Sequence, residues 1–381
     1  MSKEKRRVPK LRFPGFTEDW EQRKLEDICS YQSSSLTIND IDENGLYDLY
    51  DANSLIGKTN KGYMKMEYIT IIKDGAGVGR TRILPKNSMF LGTMGALTPK
   101  NSYLGFLYQL VTNANLGKIC TGSTIPHIYF KDYGKLKFCI PSIIEQEVIG
   151  KFFNNIDYLI TLHQRKLDNL KLKKKALLQK LFPKNGERYP ELRFPGFTDA
   201  WEQRKANYIF NSVTDKGYPE LPVLSASQEL GMVYRDQNGI DIQHDKKNET
   251  SYKRVLPGQF VIHLRSFQGG FAYSEVEGIT SPAYTVMSFK NSSEQYGLFW
   301  KHVFKSETFI KRLETITYGI RDGRSISFSD FKSLILQYPS FSEQKLIGGS
   351  IEIIESGITL HQRKLEHLKL QKKALLQQMF V

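Results

Sequence analysis

A glycine-rich stretch, GAGVGR at positions 75–80, is the part of the sequence that looks most like a site of chemistry. Turns of this composition can hold a phosphate group against backbone N–H donors, as they do in nucleotide-binding proteins. This one lacks the Lys-Ser/Thr ending of a P-loop and the acidic residue that follows a dinucleotide-binding turn. We therefore interpret the stretch as a tight turn beside a close-packed backbone.

Other catalytic signatures are missing from the sequence. We find no group of residues at metal-ligand spacing, no G-x-S-x-G nucleophile turn, and no Asn/Asp-Pro-Pro-aromatic stretch of the kind that amino-methyltransferases use. The 7 histidines are scattered, with no carboxylate or cysteine at a recognisable catalytic spacing. We expect this chain to contain no catalytic residue, no metal site and no cofactor of its own.

Polar side chains in the predicted loops could instead read the edges of DNA bases. In the major groove Arg and Lys bind guanine, Asn and Gln bind adenine, and Ser or Thr bind either. For any single residue, an ordinary solvated loop side chain is the alternative. The candidate DNA-binding residues are, in the first half, Lys58, Asn60, Lys61, Arg80, Arg82, Ser123, Thr124 and His127, and in the second half Ser225, Ser227, Gln228, Arg265, Ser266, Gln268, Tyr318, Arg321, Arg324 and Ser325.

The charge of the chain is compatible with a polyanionic partner. Its formal net charge is +14 over 381 residues, which favours nucleic acid weakly over a merely soluble surface. The excess is uneven, because residues 25–140 carry 12 Lys/Arg against 10 Asp/Glu and residues 206–338 carry 15 against 14. Most of the net positive charge therefore lies outside the segments that hold the candidate base readers.

The remaining parts of the chain are a tandem repeat. LRFPGFTEDWEQRK at 11–24 returns as LRFPGFTDAWEQRK at 192–205, identical at 12 of 14 positions. TLHQRKLDNLKLKKKALLQKLF at 161–182 returns as TLHQRKLEHLKLQKKALLQQMF at 359–380, identical at 17 of 22. Repeats of this length indicate a duplicated architecture, in which each shared block is followed by a variable segment and a shared helix.

Each shared helix has a clear start. Ser142 is followed three residues later by Glu145, and Ser340 by Glu343, each serine preceded by a proline. This spacing predicts a capping box, in which a hydroxyl and a carboxylate bind each other's backbone N–H groups. The Phe-Pro pair at 182–183 predicts the end of the first helix.

Both helices carry apolar residues at a period of 3.5, which predicts a coiled-coil seam. Histidine and lysine interrupt the seam at equivalent places, and we interpret His163 and His361 as register devices or solvated interruptions. The lysine-rich stretch at 171–175 is a solvated helix face or, alternatively, a DNA-binding run. The apolar seam residues are Ile156, Ile160, Leu167, Leu170, Leu177 and Leu181 in the first helix and Ile354, Ile358, Leu365, Leu368, Leu375 and Met379 in the second.

The variable segments predict a mixed α/β structure with short strands. YITII at 68–72 and QFVIHL at 259–264 each lead into a glycine-rich turn. The fold class is therefore α+β. The predicted boundaries are a first domain at 1–140, its helix at 141–182, a linker at 183–191, a second domain at 192–338 and its helix at 339–381.

The bulk properties predict a cytoplasmic protein. Three cysteines, Cys29, Cys120 and Cys139, lack metal-type spacing and read as free thiols in a reducing compartment. No apolar run approaches the ~20 residues of a membrane span, and no apolar segment follows the basic N-terminus as in a signal peptide.

The two shared blocks, the P-S…E-Q helix lead-in and their tandem repetition resemble the specificity (S) subunits of Type I restriction–modification systems, over the whole chain. The resemblance implies two target recognition domains, each reading half of a split, asymmetric DNA target. It also implies two conserved helices, packed antiparallel, that set the spacing of the half-sites and dock the modification subunits. It implies as partners two modification subunits, which methylate adenine with S-adenosylmethionine, and two restriction subunits, which use ATP and Mg²⁺. None of those cofactors would belong to this chain.

Two other classes of protein fit the sequence less well. A stand-alone DNA-modifying enzyme would need methyltransferase motifs that the sequence lacks. A structural coiled-coil adaptor would not need two large, dissimilar globular segments. Duplicated blocks with divergent segments between them fit a protein that holds two copies of one partner while it reads two different half-sites.

Overall fold

The computed structural model describes residues 7–75, 77–122, 126–184, 186–227, 230–235, 246–263, 270–314 and 326–380. The chain forms two compact units, and each takes part of both long helices. The first unit comprises Met1–Arg165 together with Gln362–Val381, and the second comprises Lys166–His361.

The first unit is an α+β domain whose strands are short. Ile38–Asp40 and Leu116–Ile119 form 3₁₀ turns. Its helices and strands are β1 (Glu21–Lys24), α1 (Leu25–Ile28), β2 (Cys29–Ser33), β3 (Tyr47–Tyr50), β4 (Leu55–Thr59), β5 (Tyr68–Ile72), β6 (Thr81–Leu84), β7 (Ser88–Phe90), β8 (Met94–Pro99), α2 (Leu104–Asn113), α3 (Phe130–Tyr133), β9 (Lys137–Ile140) and α4 (Ile143–Lys180), which continues into the second unit.

The main sheet of the first unit is antiparallel, in the order β2-β8-β5-β6. Its strand β5 is YITII, as the sequence predicts, and all five residues are buried. An isoleucine-rich run buried on both faces is typical of a central strand. A second sheet has the order β4-β3-β7, with β3 and β7 parallel, and β1 pairs antiparallel with β9.

The second unit repeats this plan with other strands inserted. A 3₁₀ helix covers Lys246–Ser251. Its elements are β10 (Glu202–Lys205), α5 (Ala206–Ile209), β11 (Phe210–Val213), β12 (Leu224–Ser227), β13 (Gly231–Tyr234), β14 (Lys253–Val255), β15 (Phe260–Ile262), β16 (Phe271–Tyr273), β17 (Gly278–Thr280), β18 (Thr285–Phe289), α6 (Gly297–Val303), α7 (Glu307–Glu314), α8 (Phe328–Ser333), β19 (Ile335–Tyr338) and α9 (Phe341–Met379), whose C-terminal part lies in the first unit.

The main sheet of the second unit has the order β11-β18-β15-β16, again antiparallel, and β10 pairs with β19 as β1 pairs with β9. The predicted strand at 259–264 is observed as β15, between Phe260 and Ile262. Two small ribbons, β12-β13 and β14-β17, complete the described strands. The mixed α/β fold class predicted from the sequence is confirmed in both units.

In each unit the two long helices run antiparallel to each other. In the first unit Phe153 of α4 packs near Phe380, with ring centroids 6.1 Å apart, and Asp157 one turn later binds Lys372. In the second unit Glu355 of α9 binds Lys174 at 2.6 Å. The next contact in the same direction brings Gly357 of α9 beside Leu170 of α4. In both units a step forward along one helix is therefore a step backward along the other.

The apolar residues of the predicted seam are all buried or half-buried. The lysines that interrupt the seam, Lys174 and Lys372, reach carboxylates on the facing helix in their own units. Both ion pairs lie at equivalent positions of the repeat, as expected for residues that fix the register of a helix pair. Among the described residues, no helix is apolar over a length that would cross a bilayer.

Candidate DNA-reading surfaces and the frame that carries them

A buried ion pair ties the first shared block to the start of its helix in each unit. Arg12 donates from Nε and Nη2 to the two carboxylate oxygens of Glu145, at 2.7 and 2.8 Å. Arg193 makes the same pair of hydrogen bonds with Glu343, both at 2.9 Å. Both glutamate side chains are only 1% exposed. A bidentate guanidinium is the partner that best compensates a buried carboxylate.

These ion pairs enlarge the role that the sequence assigned to the two glutamates. The Glu145 amide N–H donates to the Ser142 hydroxyl at 3.4 Å, which is one half of the predicted capping box. The Glu145 carboxylate, however, holds Arg12, which lies 133 residues earlier in the chain. Sequence reasoning missed this pairing, although the retention of arginine and glutamate in both copies was a signal for it.

The glutamine next to each glutamate forms a second repeated latch. Gln146 donates to the Pro141 carbonyl at 2.9 Å and accepts from the backbone N–H of Tyr103 at 3.0 Å. Gln344 makes both contacts in the second unit, with Pro339 and Tyr296, each at 3.0 Å. Each glutamine is buried, and both of its polar ends are used. The latch fixes the first turn of α4 or α9 against the start of α2 or α6.

The end of each long helix completes the core of one unit. In the first unit Trp20 packs edge-on against Phe380, with ring centroids 6.5 Å apart. In the second unit Trp201 packs in the same way against Phe182, at 6.0 Å. Tryptophan and helix end belong to the shared sequences, and both tryptophans are buried. The frame of a unit therefore contains the shared block and the end of the helix from the other copy.

Backbone hydrogen bonds repeat the same association. The N–H of Leu11 donates to the carbonyl of Gln378 at 3.0 Å, and the N–H of Leu192 donates to that of Lys180 at 2.9 Å. We call this set of repeated contacts the frame. In each unit it consists of the Arg–Glu ion pair, the glutamine latch, the Trp–Phe contact and one strand pair, which is β1-β9 in the first unit and β10-β19 in the second.

Two of the predicted DNA-binding residues of the first unit lie together. Arg80 donates from Nη2 to the Ala52 carbonyl at 2.7 Å and to Asn53 Oδ1 at 2.6 Å. Arg82 donates to the Asn53 carbonyl at 3.1 Å, and its guanidinium lies 5.3 Å from the centre of the Tyr50 ring. The loop between β3 and β4 thus orients two arginines on one surface. Asn53 was not predicted, because nothing in the sequence links it to arginines 27 and 29 positions later.

The glycine-rich stretch that precedes Arg80 is a tight turn, as the sequence predicts. Gly79 has φ +81°, and a Cβ at this position would lie 2.4 Å from the backbone nitrogen of Gly117. Both the left-handed conformation and the close backbone approach require glycine. The turn places Arg80 and Arg82 at the start of β6, and Ala76 lies outside the described residues.

The other predicted residues of this unit occupy two separate places. Asn60 accepts from the N–H of Leu46 at 3.0 Å and donates to Asp42 at 2.9 Å, while Lys61 pairs with Asp40 at 2.6 Å. Lys58 is exposed on β4. Asn60 therefore has a local structural role whatever else it contacts, because both ends of its amide are bonded.

His127 is held by a carboxylate. Its Nδ1 lies 2.6 Å from Asp74 Oδ1, and both side chains are more than a third exposed. Backbone bridges join His127 to Asp74 and to Thr121. The contact orients the imidazole ring and leaves Nε2 as the atom for a ligand to approach. Ser123 and Thr124, predicted beside it, lie outside the described residues.

In the second unit two predicted residues are described. Ser225 and Ser227 are half-buried on β12, and Ser227 accepts from the N–H of Leu230 at 3.2 Å. The other predicted residues of this unit lie outside the described residues, namely Gln228, Arg265, Ser266, Gln268, Tyr318, Arg321, Arg324 and Ser325.

Where α2 or α6 meets the long helices, the two units differ. In the first unit Gln109 donates to Asp157 at 2.9 Å, and Lys372 binds the same carboxylate at 2.6 and 2.8 Å. In the second unit the equivalent side chain is His302, which is 1% exposed. Burial lowers the pKa of His302 to about 3, so the ring is neutral at physiological pH.

Near His302 lie two glutamates, in an arrangement that could be taken for a metal site. Nitrogen or oxygen atoms of His302, Glu352 and Glu355 lie within 4.8 Å of one another. Lys301 already binds Glu352 at 3.0 Å, however, and Lys174 binds Glu355 at 2.6 Å. A divalent cation would have to displace two ammonium groups, so the donor set fits an ionic network better than a metal centre.

Comparison with known proteins connects this architecture to one family. Residues 17–172 match the family model of the Type I restriction modification DNA specificity domain. Across 400 aligned residues the chain is 23% identical to the Type I restriction enzyme MjaVIII specificity subunit of Methanocaldococcus jannaschii, covering 96% of this chain and 92% of that protein.

The fold agrees with the sequence comparison. It is similar to the crystal structure of the Type I restriction–modification system S subunit from M. genitalium, with a TM-score of 0.69 at 16% identity. That similarity covers 98% of this chain and 99% of the other. The resemblance predicted from the repeated blocks is confirmed: residues 17–172 match the specificity-domain family, and the chain as a whole is similar to Type I specificity subunits in sequence and in fold.

Proposed function

We propose that this chain is the DNA sequence-recognition subunit of a Type I restriction–modification complex and leaves the chemistry to its partners. Each unit would read one half of a bipartite, asymmetric DNA target. The supporting observation is that the two units repeat the contacts of the frame, while the candidate base readers that the structure describes, such as Arg80 in the first unit and Ser227 in the second, share neither residue type nor contacts. A duplicated reader needs this combination of one scaffold and two surfaces.

The recognition domains would be residues 1–140 and 192–338, with a linker at 183–191 and the conserved helices at 141–182 and 339–381. In the first domain Arg80 and Arg82 are the leading candidates for base contacts, because Asn53 and the adjacent backbone hold both guanidinium groups in place. A side chain held before binding loses less conformational entropy on the DNA.

The conserved helices would act as a ruler between the half-sites. Adding one heptad to both helices keeps the seam in register and lengthens the pair by roughly 10 Å at ~1.5 Å per residue. At ~3.4 Å per base pair, this corresponds to about three more unread base pairs. Binding selection on randomised DNA should return the same half-sites at the larger separation, and selection of the original separation would contradict the ruler.

The partners would be double-stranded DNA, two modification subunits and two restriction subunits. The modification subunits would carry S-adenosylmethionine and methylate one adenine in each half-site, while the restriction subunits would use ATP and Mg²⁺. Methylation of a base within a duplex requires that the base be flipped out of the stack. The recognition domains would therefore hold the duplex while a partner works on the extruded adenine.

A domain exchange tests this function. Residues 206–338 are replaced by the equivalent segment of a relative, the chain is assembled with its modification subunits, and methylated adenines are mapped in DNA. One half-site should change and the other should remain. A change in both half-sites, or methyl transfer by the isolated chain, would contradict the proposal.

A further inference from the structure

Four exposed side chains in the shared block have no explanation within the frame. Strands β1 and β10 have the same sequence, Glu-Gln-Arg-Lys, and all four positions are exposed in both units. The identity between the copies ends directly after these strands. Residues 25–27 are Leu-Glu-Asp, whereas the equivalent residues 206–208 are Ala-Asn-Tyr. Something other than burial has kept these four residues the same.

The neighbours of the two strands within the chain are different. Arg23 lies opposite Phe138 in the β1-β9 pairing, whereas Arg204 lies opposite Leu336 in the β10-β19 pairing. All four cross-strand partners differ between the copies: Lys137, Phe138, Cys139 and Ile140 face the first strand, and Ile335, Leu336, Gln337 and Tyr338 face the second. Strand pairing uses backbone groups, so it places little constraint on the side chains.

An ion pair within each strand does not account for the identity either. Arg23 binds Glu21 at 2.7 Å, and Arg204 binds Glu202 at 3.0 Å, with all four side chains more than half exposed. Exposed pairs of this kind contribute little to stability. Both pairs nevertheless present an arginine beside a glutamate on the surface, which is a pattern that another molecule can recognise.

We infer that β1 and β10 are two copies of one docking surface, each of which binds one modification subunit. This inference rests on the proposed function. Two identical polar surfaces in different surroundings fit two copies of one protein partner, since an identical partner requires identical contacts. A DNA duplex fits less well, because each strand presents a glutamate that is already bound to its arginine, which lowers the attraction for phosphate.

The rims of the two surfaces would tune the fit of each copy. Beside β10 lies an open depression of about 500 Å³ lined in part by Tyr208 and Ile335. Both of these side chains are more than half exposed. Aromatic and aliphatic anchors of this kind strengthen protein interfaces. The equivalents in the first unit are the charged Asp27 and Lys137, so the copy bound at β10 should dissociate more slowly.

The experiment uses the full chain together with its modification subunit and measures subunit composition by native mass spectrometry. The variants are Arg23→Glu with Lys24→Glu in β1, Arg204→Glu with Lys205→Glu in β10, and all four together. The matched control is Lys86→Glu, an exposed lysine of the first unit that lies between β6 and β7, outside β1 and its rim. Each double variant should lose one modification subunit, with its affinity weakened at least about 30-fold, which corresponds to the loss of a hot-spot residue.

The quadruple variant should lose both subunits, while the control keeps both. Thermal unfolding should remain within about 2 °C of the unmodified chain, because the substituted side chains are exposed. Retention of two modification subunits by the quadruple variant would overturn the inference. The inference would also be overturned if the quadruple variant kept its subunit composition while the isolated chain bound DNA more weakly, because β1 and β10 would then contact DNA. If the chain without substitutions binds no modification subunit, the proposed function is contradicted instead.

Discussion

The two units meet their long helices through the same frame but through different polar groups, and the difference separates what the fold requires from what it tolerates. Arg12–Glu145 and Arg193–Glu343 use the same donor and acceptor atoms at similar distances. The neighbouring site does not: an amide, Gln109, contacts Asp157 in the first unit, and a buried neutral imidazole, His302, lies beside Glu355 in the second. The contacts of the frame are the same in both units, whereas the polar groups next to it on α2 and α6 differ.

The same contrast explains why the shared sequences are so short. The buried repeated residues of the shared blocks make their contacts within the frame, as Trp20 does with Phe380 and Trp201 with Phe182. The main sheets of the two units have equivalent strand orders, β2-β8-β5-β6 and β11-β18-β15-β16. Their side chains differ, because different combinations of apolar side chains with the same total volume can fill a core. Specificity for DNA can then change without loss of the scaffold.

The largest expected effect is the loss of the buried arginine. Arg12→Ala leaves the Glu145 carboxylate buried and without its main partner, which should destabilise the first unit by about 3–5 kcal/mol. Arg193→Ala should do the same to the second unit. Hydrogen–deuterium exchange, read segment by segment, would show the loss of protection in one unit only. Arg23→Ala, which removes an exposed ion pair, is the control and should cost no more than about 1 kcal/mol.

The next effect tests whether the helix ends belong to the units assigned to them. Phe380→Ala should destabilise the first unit by roughly 2–4 kcal/mol, below the range for a fully buried Phe because Phe380 is half-buried. Phe182→Ala should destabilise the second unit. Hydrogen–deuterium exchange again measures both effects. Loss of protection around Trp201 in the Phe380→Ala variant would contradict the pairing of Phe380 with Trp20.

A smaller effect distinguishes the units by pH. Burial holds the pKa of His302 at about 3, whereas an unfolded histidine titrates near 6.5. The unfolded state therefore binds the extra proton below about pH 6.5, and the second unit should lose about 1.4 kcal/mol per pH unit as the pH falls. His302→Gln, which copies Gln109, should remove this component. Urea titrations at pH 7 and pH 5 on both proteins measure it, and an equal pH dependence would refute it.

The smallest expected effect concerns the reading surface. Asn53→Ala removes the side-chain acceptor of Arg80 and loosens the loop that positions Arg82. The affinity of the complex for its target should fall about 3- to 10-fold, the effect of losing one ordinary, solvent-exposed hydrogen bond. Asn39→Ala, an exposed asparagine in the same unit, is the matched control. Fluorescence anisotropy on target DNA would make the comparison, and equal affinities would remove Asn53 from the site.

The sequence predicted the parts of the fold that repeat or that follow local rules. The helices, the strand at 68–72 and the turn at Gly79 depend on periodicity and on backbone geometry, which are legible over a few residues. The Arg12–Glu145 pair was missed, because its partners are 133 residues apart and only their retention in both copies points to it. The support of Arg80 by Asn53 was missed for the same reason. The roles of the candidate base readers remain predictions, since they depend on where DNA lies against each loop.

The central claim is that one frame carries two interchangeable readers, and a chimera tests it most directly. Residues 206–358 are replaced by residues 25–160, so that the grafted reader keeps its own α2 and Asp157 and finds Lys174 where it had Lys372. The chimera is assembled with its modification subunits, and methylated adenines are mapped across a genome. The account predicts a target made of two copies of the first half-site. Methylation at the original asymmetric target, or at sites that contain the second half-site, would contradict it.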